Sequence, residues 1–100
     1  MACWNTSIKK LNNGKIYIDA GDRSHSYYGK FWVAKITGTD EAYGLARKFI
    51  NQSDGAVIET DGFYEVYRTC TWAKHPEHYF IEVKDNNYKI VSKEDILSQL

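Results

Sequence analysis

Apolar and polar positions alternate in short runs along this chain, and turn residues separate the runs. Asn12-Asn13-Gly14 is the sharpest break. Asn-Gly supplies the positive φ angles of tight hairpin turns. It therefore joins a strand over Thr6–Leu11 to one over Lys15–Ala20. Ile16, Ile18 and Ala20 point to one face, and Lys15, Tyr17 and Asp19 to the other. Two registers fit. A two-residue loop pairs Leu11 with Ile16, whereas a three-residue loop puts Ile8 beside Ile18. The polar stretch Gly21–Gly29 follows, then Lys30–Thr37. Trp32, Ala34 and Ile36 make one side of that run apolar, and Phe31 and Val33 the other. A strand apolar on both sides is central, with cover on each face.

The expected cover is a helix. Thr39 caps it, with Asp40 and Glu41 in the first turn. Ala42, Leu45, Ala46, Phe49 and Ile50 follow the spacing of a core-facing stripe. Arg47 and Lys48 suit the far end of the dipole. Gly44 costs such a helix about 1 kcal/mol relative to alanine, so close packing is expected there. The helix ends near Asn51, and Ser53-Asp54-Gly55 turns the chain. Ala56–Thr60 and Phe63–Trp72 read as a second hairpin around Asp61-Gly62. On its longer strand Tyr64, Val66, Cys70 and Trp72 share a face interrupted only by Arg68. Ala73–His78 is a loop centred on Pro76, and Tyr79–Lys84 alternates again. Asp85-Asn86-Asn87 then turns the chain into Tyr88–Val91. Ser92 followed by Asp95 is a capping-box pattern that opens a last helix with Ile96, Leu97 and Leu100.

The order β-β-β-α-β-β-β-β-α predicts an α+β fold. Its centre is a small, twisted, mainly antiparallel sheet of five to seven strands, open or partly closed as a barrel. One central helix lies on a face, and a short helix ends the chain. One hundred residues suffice for one domain over 1–100. The chain is 43% hydrophobic, 26% charged and has one proline, which excludes a disordered segment.

Net charge is zero, from thirteen basic and thirteen acidic residues. A phosphate-backbone binder usually carries a basic excess. The halves differ: residues 1–50 hold eight Lys/Arg against four Asp/Glu, and residues 51–100 five against nine. Interleaving of the halves in space would cancel that difference. Two cysteines, Cys3 and Cys70, are too few for a disulfide framework. With no apolar run of membrane length and no secretory leader, the chain is expected in a reducing cytoplasm, away from membranes. Cys70 reads as a small buried hydrophobe. A Cys3–Cys70 bridge would need their two strands side by side.

Candidate chemistry is thin. His75-Pro76-Glu77-His78 could offer two metal ligands, with Cys70 as a third. A structural zinc site takes four, usually as two pairs, and the second pair is missing. An exposed proline turn explains the same residues, so no metal or cofactor is expected. Asp19, Asp22, Ser24 and His25 contain the residue types of a nucleophile, a base and an orienting acid. Polar loops collect those types for turn formation alone. No glycine-rich phosphate cradle is present.

Aromatics are the informative feature. Fifteen rings in one hundred residues exceed what a small core can hold. They alternate with cations around Arg23, Tyr27, Tyr28, Lys30, Phe31 and Trp32. They do so again from Tyr64 and Tyr67 through Arg68, Trp72, Lys74 and His75 to Tyr79. The expected contact residues are Tyr27, Tyr28, Lys30, Tyr67, Arg68, Trp72, Lys74 and Tyr79. Such residues dominate protein interfaces, and they also stack on single-stranded bases. The leading expectation is a non-catalytic binding protein that occupies a larger macromolecule, protein or nucleoprotein. A phage or mobile-element inhibitor of a host restriction or CRISPR complex is one such protein. A nucleic-acid-binding module is the alternative, and a small hydrolase or metalloprotein the weaker third. An open sheet also has edges, so the chain is expected as a monomer or as an edge-strand homodimer.

Overall fold

A computed structural model describes residues 6–21, 28–42, 44–50, 54–70 and 77–100, without the side chains of Tyr28 and Cys70. Among the described residues the chain forms β1 (Ser7–Lys10), β2 (Ile16–Asp19), β3 (Tyr28–Gly38) and β4 (Ala46–Phe49). After these come β5 (Gly55–Ile58), β6 (Gly62–Cys70), β7 (Glu77–Lys84), β8 (Asn87–Val91) and the helix α1 (Lys93–Leu97). The strands make two sheets, ordered β1-β2-β5 and β4-β3-β6-β7-β8. Every ladder is antiparallel. None of the described helices is long and apolar enough to cross a membrane.

The first hairpin takes the longer loop. Ile8 faces Ile18, the Leu11 N–H donates to the Lys15 carbonyl at 2.8 Å, and Gly14 has φ 87°. Glycine supplies that angle without a steric cost. The β7–β8 connection uses two residues, Asp85 (φ 53°) and Asn86 (φ 62°). Both angles are positive, as a primed hairpin turn requires.

The sheets pack face to face. Ile16, Ile18, Ala56 and Ile58 of the small sheet meet Val33, Tyr64, Val66, Ile81 and Val83 of the large one, all buried. This is the inner face of the large sheet. Arg68 interrupts the same face and is also buried; its Nη1 donates to the Ala20 carbonyl at 2.6 Å. On the outer face, Ile36, Leu45 and Ile96 form a second cluster, packed by Phe63, Phe80 and Val91. Helix α1 thus covers one end of the outer face. Ser92 caps it with a complete capping box to Asp95, as its sequence predicts. The strand carrying Phe31–Ile36 is covered on both sides, by a second sheet on one and by Leu45 and α1 on the other.

Two expectations are corrected. Among the described residues no central helix forms over 39–50, and the fold is a pair of antiparallel sheets with one short C-terminal helix. Asp40 accepts from the Ala42 N–H at 2.8 Å, and the Asp40 carbonyl accepts from the Gly44 N–H at 2.6 Å. Gly44 stands at φ 88°, which ends any right-handed helix. Residues 46–49 then complete the edge of the large sheet on β3. A helix of this length is marginal alone, whereas the β3 edge offers a full ladder and brings Arg47 to a buried carboxylate. Helical spacing also fits the observed burial poorly, since Leu45 is buried while Phe49 is 61% exposed.

The second correction concerns the hairpin around Asp61-Gly62. β5 pairs with β2, and β6 pairs with β3 and β7, so the chain crosses between layers there. Tyr64 pins the crossover by donating its hydroxyl to the Thr60 carbonyl at 2.5 Å. Ala56 and Ile58 can bury against Tyr64 and Val66 only as opposed layers; side by side in one sheet they would share a face and need another cover.

Gly44→Ala separates the two accounts of residues 39–50. In a helix it would stabilise by up to about 1 kcal/mol. At φ 88° it is expected to destabilise by about 1 kcal/mol, read as a lower urea midpoint at unchanged slope.

Candidate functional site

Beyond the reach of α1, the outer face of the large sheet carries a row of rings. Strand alternation and register place them together. Trp32 on β3 lies opposite Tyr67 on β6, and Tyr67 lies opposite His78 on β7. Phe49 on β4 pairs with Ala34 and comes beside Trp32. Trp32 and Tyr67 stack with centroids 5.1 Å apart and planes 13° from parallel. Phe49 meets Trp32 edge-on at 5.3 Å, and His78 meets Tyr67 at 5.7 Å and 70°. Phe80 closes the row 5.3 Å from His78.

The stacking sets what this row can bind. Two rings 5.1 Å apart and nearly parallel cannot both lie flat on a sheet, so they overlap with one face of each together. Phe49 on the β4 side and His78 on the β7 side take the remaining flanks. One face of Trp32 and one face of Tyr67 are therefore occupied within the row.

Beneath the rings sits Glu65, 2% exposed. Arg47 donates from Nε to Glu65 Oε1, and from Nη2 to Oε2 at 3.4 Å. His78 Nε2 donates to Oε2 at 2.5 Å. Arg47 reaches from β4 across β3, where Ala34 stands opposite Glu65 and presents only a methyl group. Burial pushes the Glu65 carboxyl up; the hydrogen bonds from Arg47 and His78, with their charges, outweigh it and hold the carboxyl below its ordinary value. The cluster joins a guanidinium, a carboxylate and an imidazole from three strands. Farther along the face, Lys89 pairs with Glu82 at 3.4 Å.

The expected contact residues divide. Tyr67 stands in the row, half-buried. Lys30 is exposed, and its N–H donates to Thr69 Oγ1 at 2.7 Å. Arg68 and Tyr79 lie on the inner face and serve the fold. Tyr79 Oη is 2.8 Å from Thr6 Oγ1, and Thr6 N–H donates to Glu77 Oε1 at 2.9 Å. That network ties the start of β1 to β7. Tyr28 joins β3 by its backbone. Tyr27, Trp72 and Lys74 lie outside the described residues.

The other sequence candidates are placed similarly. Asp19 pairs with Lys9 at 3.0 Å and accepts from the Gly21 N–H at 2.8 Å, whereas Asp22, Ser24 and His25 lie outside the described residues. His75 does too, and His78 is a strand residue held by Glu65. So do Cys3 and the Cys70 side chain.

No family model, curated protein or solved structure matches the chain. The site stands on its geometry. Sequence reasoning missed Glu65, Arg47, Phe49 and His78 as one group. The available signal was a carboxylate on β6 in phase with Phe63 and Tyr67, a position that alternation turns to an apolar face.

Arg47→Met is expected to lower stability by up to about 3 kcal/mol, because it strands a buried carboxylate; partial exposure of Arg47 limits the loss. Adding Glu65→Leu should recover most of it, a coupling that a double-mutant cycle in urea measures. The acid limb checks the sign. Folding lowers the Glu65 pKa, so its contribution is complete above the ordinary value of 4.5 and disappears as pH falls through the depressed folded value. Glu65→Gln should flatten that part of the stability–pH curve.

Proposed function

We propose that the protein is a non-catalytic binding protein whose contact face is the row Phe49, Trp32, Tyr67 and His78. The observation that carries this reading is Phe49, a large apolar ring 61% exposed at the edge of a sheet and continuous with three half-covered rings. Exposed aromatic clusters of this kind mark macromolecular contacts. β4 is also the edge of its sheet, so its outward backbone groups can take an added strand from a partner beside Phe49.

The partner class follows from ring orientation and charge. A nucleobase stacks on an open aromatic face, and Trp32 and Tyr67 each have one face taken by the other. Arg47, in the cluster beside the row, is matched by Glu65, and Lys89, farther along the face, by Glu82. Both features support a protein surface over single-stranded nucleic acid. The row also suits an inhibitor that covers part of a larger machine, such as a phage or mobile-element protein directed at a host restriction or CRISPR complex.

The test compares the wild-type chain with Phe49→Glu. That exposed position should tolerate the change with a stability loss under about 0.5 kcal/mol. A stoichiometric protein captured by the wild type should bind the variant at least about 30-fold more weakly, as for an interface hot spot. Undiminished capture by the variant removes the row from the interface. Labelled single- and double-stranded oligonucleotides, titrated at two salt concentrations, should show no salt-dependent binding. A steep fall in affinity with salt would move the assignment to nucleic acid.

A further inference from the structure

On the opposite side of the large sheet, a groove of about 390 Å³ opens between β3–β4 and the β5–β6 crossover. Lys35 and Lys48 line it and face each other directly across the β3–β4 ladder. Like charges at such a pair repel and cost stability. Among the described residues neither ammonium has a carboxylate within 4.0 Å. Glu59 also lines the groove, but its carboxylate is held at the rim by Lys15 at 3.0 Å.

Lys35 is held in place. Its Nζ donates to Thr60 Oγ1 at 2.6 Å and lies 5.9 Å from the centroid of the Tyr64 ring. An ammonium has three donors, so two stay available. Ile50 and Val57 add apolar wall beside the two cations. The volume falls within the range of small-ligand sites.

The geometry points to a binding site for a small organic anion, with its phosphate or carboxylate head between Lys35 and Lys48 and its apolar body against Ile50 and Val57. The anion offsets the repulsion between the two ammoniums. This site is independent of the aromatic row, which occupies the other face of the sheet.

Phenyl phosphate, benzoate, inorganic phosphate and benzyl alcohol, titrated into the ¹⁵N-labelled protein, test it. Phenyl phosphate or benzoate should shift the amides of Lys35, Lys48 and Thr60 saturably, and the stronger of the two identifies the head group. Inorganic phosphate should bind more weakly than phenyl phosphate, and benzyl alcohol should leave these amides unmoved. Lys48→Gln should weaken anion binding about tenfold, as loss of a charged hydrogen bond does. The same change should raise the Tm of the ligand-free protein by about 1–3 °C, since it removes the repulsion. That opposed pair of effects is not what a merely structural lysine gives. No saturable shift by about 10 mM, equal shifts with benzyl alcohol, or a lower Tm for Lys48→Gln would overturn the assignment.

Discussion

A carboxylate removed from water must be matched, and in this protein the match spans the sheet. Glu65 is buried on β6, and its partners come from β4 and β7. A buried ion left without its partner costs several kcal/mol. The demand therefore fixes three things together: where β4 docks, which side of β7 faces outward, and what can stand on β3 between them. Ala34 meets the last condition, because a larger side chain would block the path from Arg47 to Glu65. The Arg47 guanidinium suits the task, since its planar fork can address both carboxylate oxygens.

The aromatic row rests on that floor. His78 belongs to both systems, holding Glu65 through Nε2 and closing the flank of Tyr67 with its ring. Stacked rings beside the Arg47–Glu65 ion pair give a face that is apolar along the row and has its buried carboxylate matched. The inner face is organised differently. There the two sheets exclude water with branched aliphatic side chains, and the buried Arg68 donates to the Ala20 carbonyl.

Much of the strand pattern was legible from residue order. Asn12-Asn13-Gly14, Asp85-Asn86 and the Ser92–Asp95 box act within a few residues of themselves, so local chemistry suffices to read them. Residues 39–50 misled because Leu45, Ala46 and Phe49 have helical spacing, while the deciding partner, Glu65, lies far along the chain. The crossover at Glu59–Gly62 misled for a related reason. Asp61-Gly62 is a good turn in either topology, and only the opposing layer determines whether the flanking strands pair or separate. Tyr67 stands on the outer face, whereas Arg68, the next residue, and Tyr79, the residue after His78, are sent by alternation and register to the other side. The face of a strand residue depends on phase, and composition carries no phase.

The β2–β5 pairing has a kinetic meaning. Between Ile18 and its partner Ala56 the chain builds β3 and β4 in the other layer. The small sheet therefore closes a long loop, whose entropy must be spent before its contacts reward it. Topologies dominated by such distant partners reach the native state in milliseconds to seconds, far more slowly than local helical ones. Until that closure, the apolar sides of β3 and β6 have no opposing layer. A species holding the large sheet without the small one would offer those sides to its own copies.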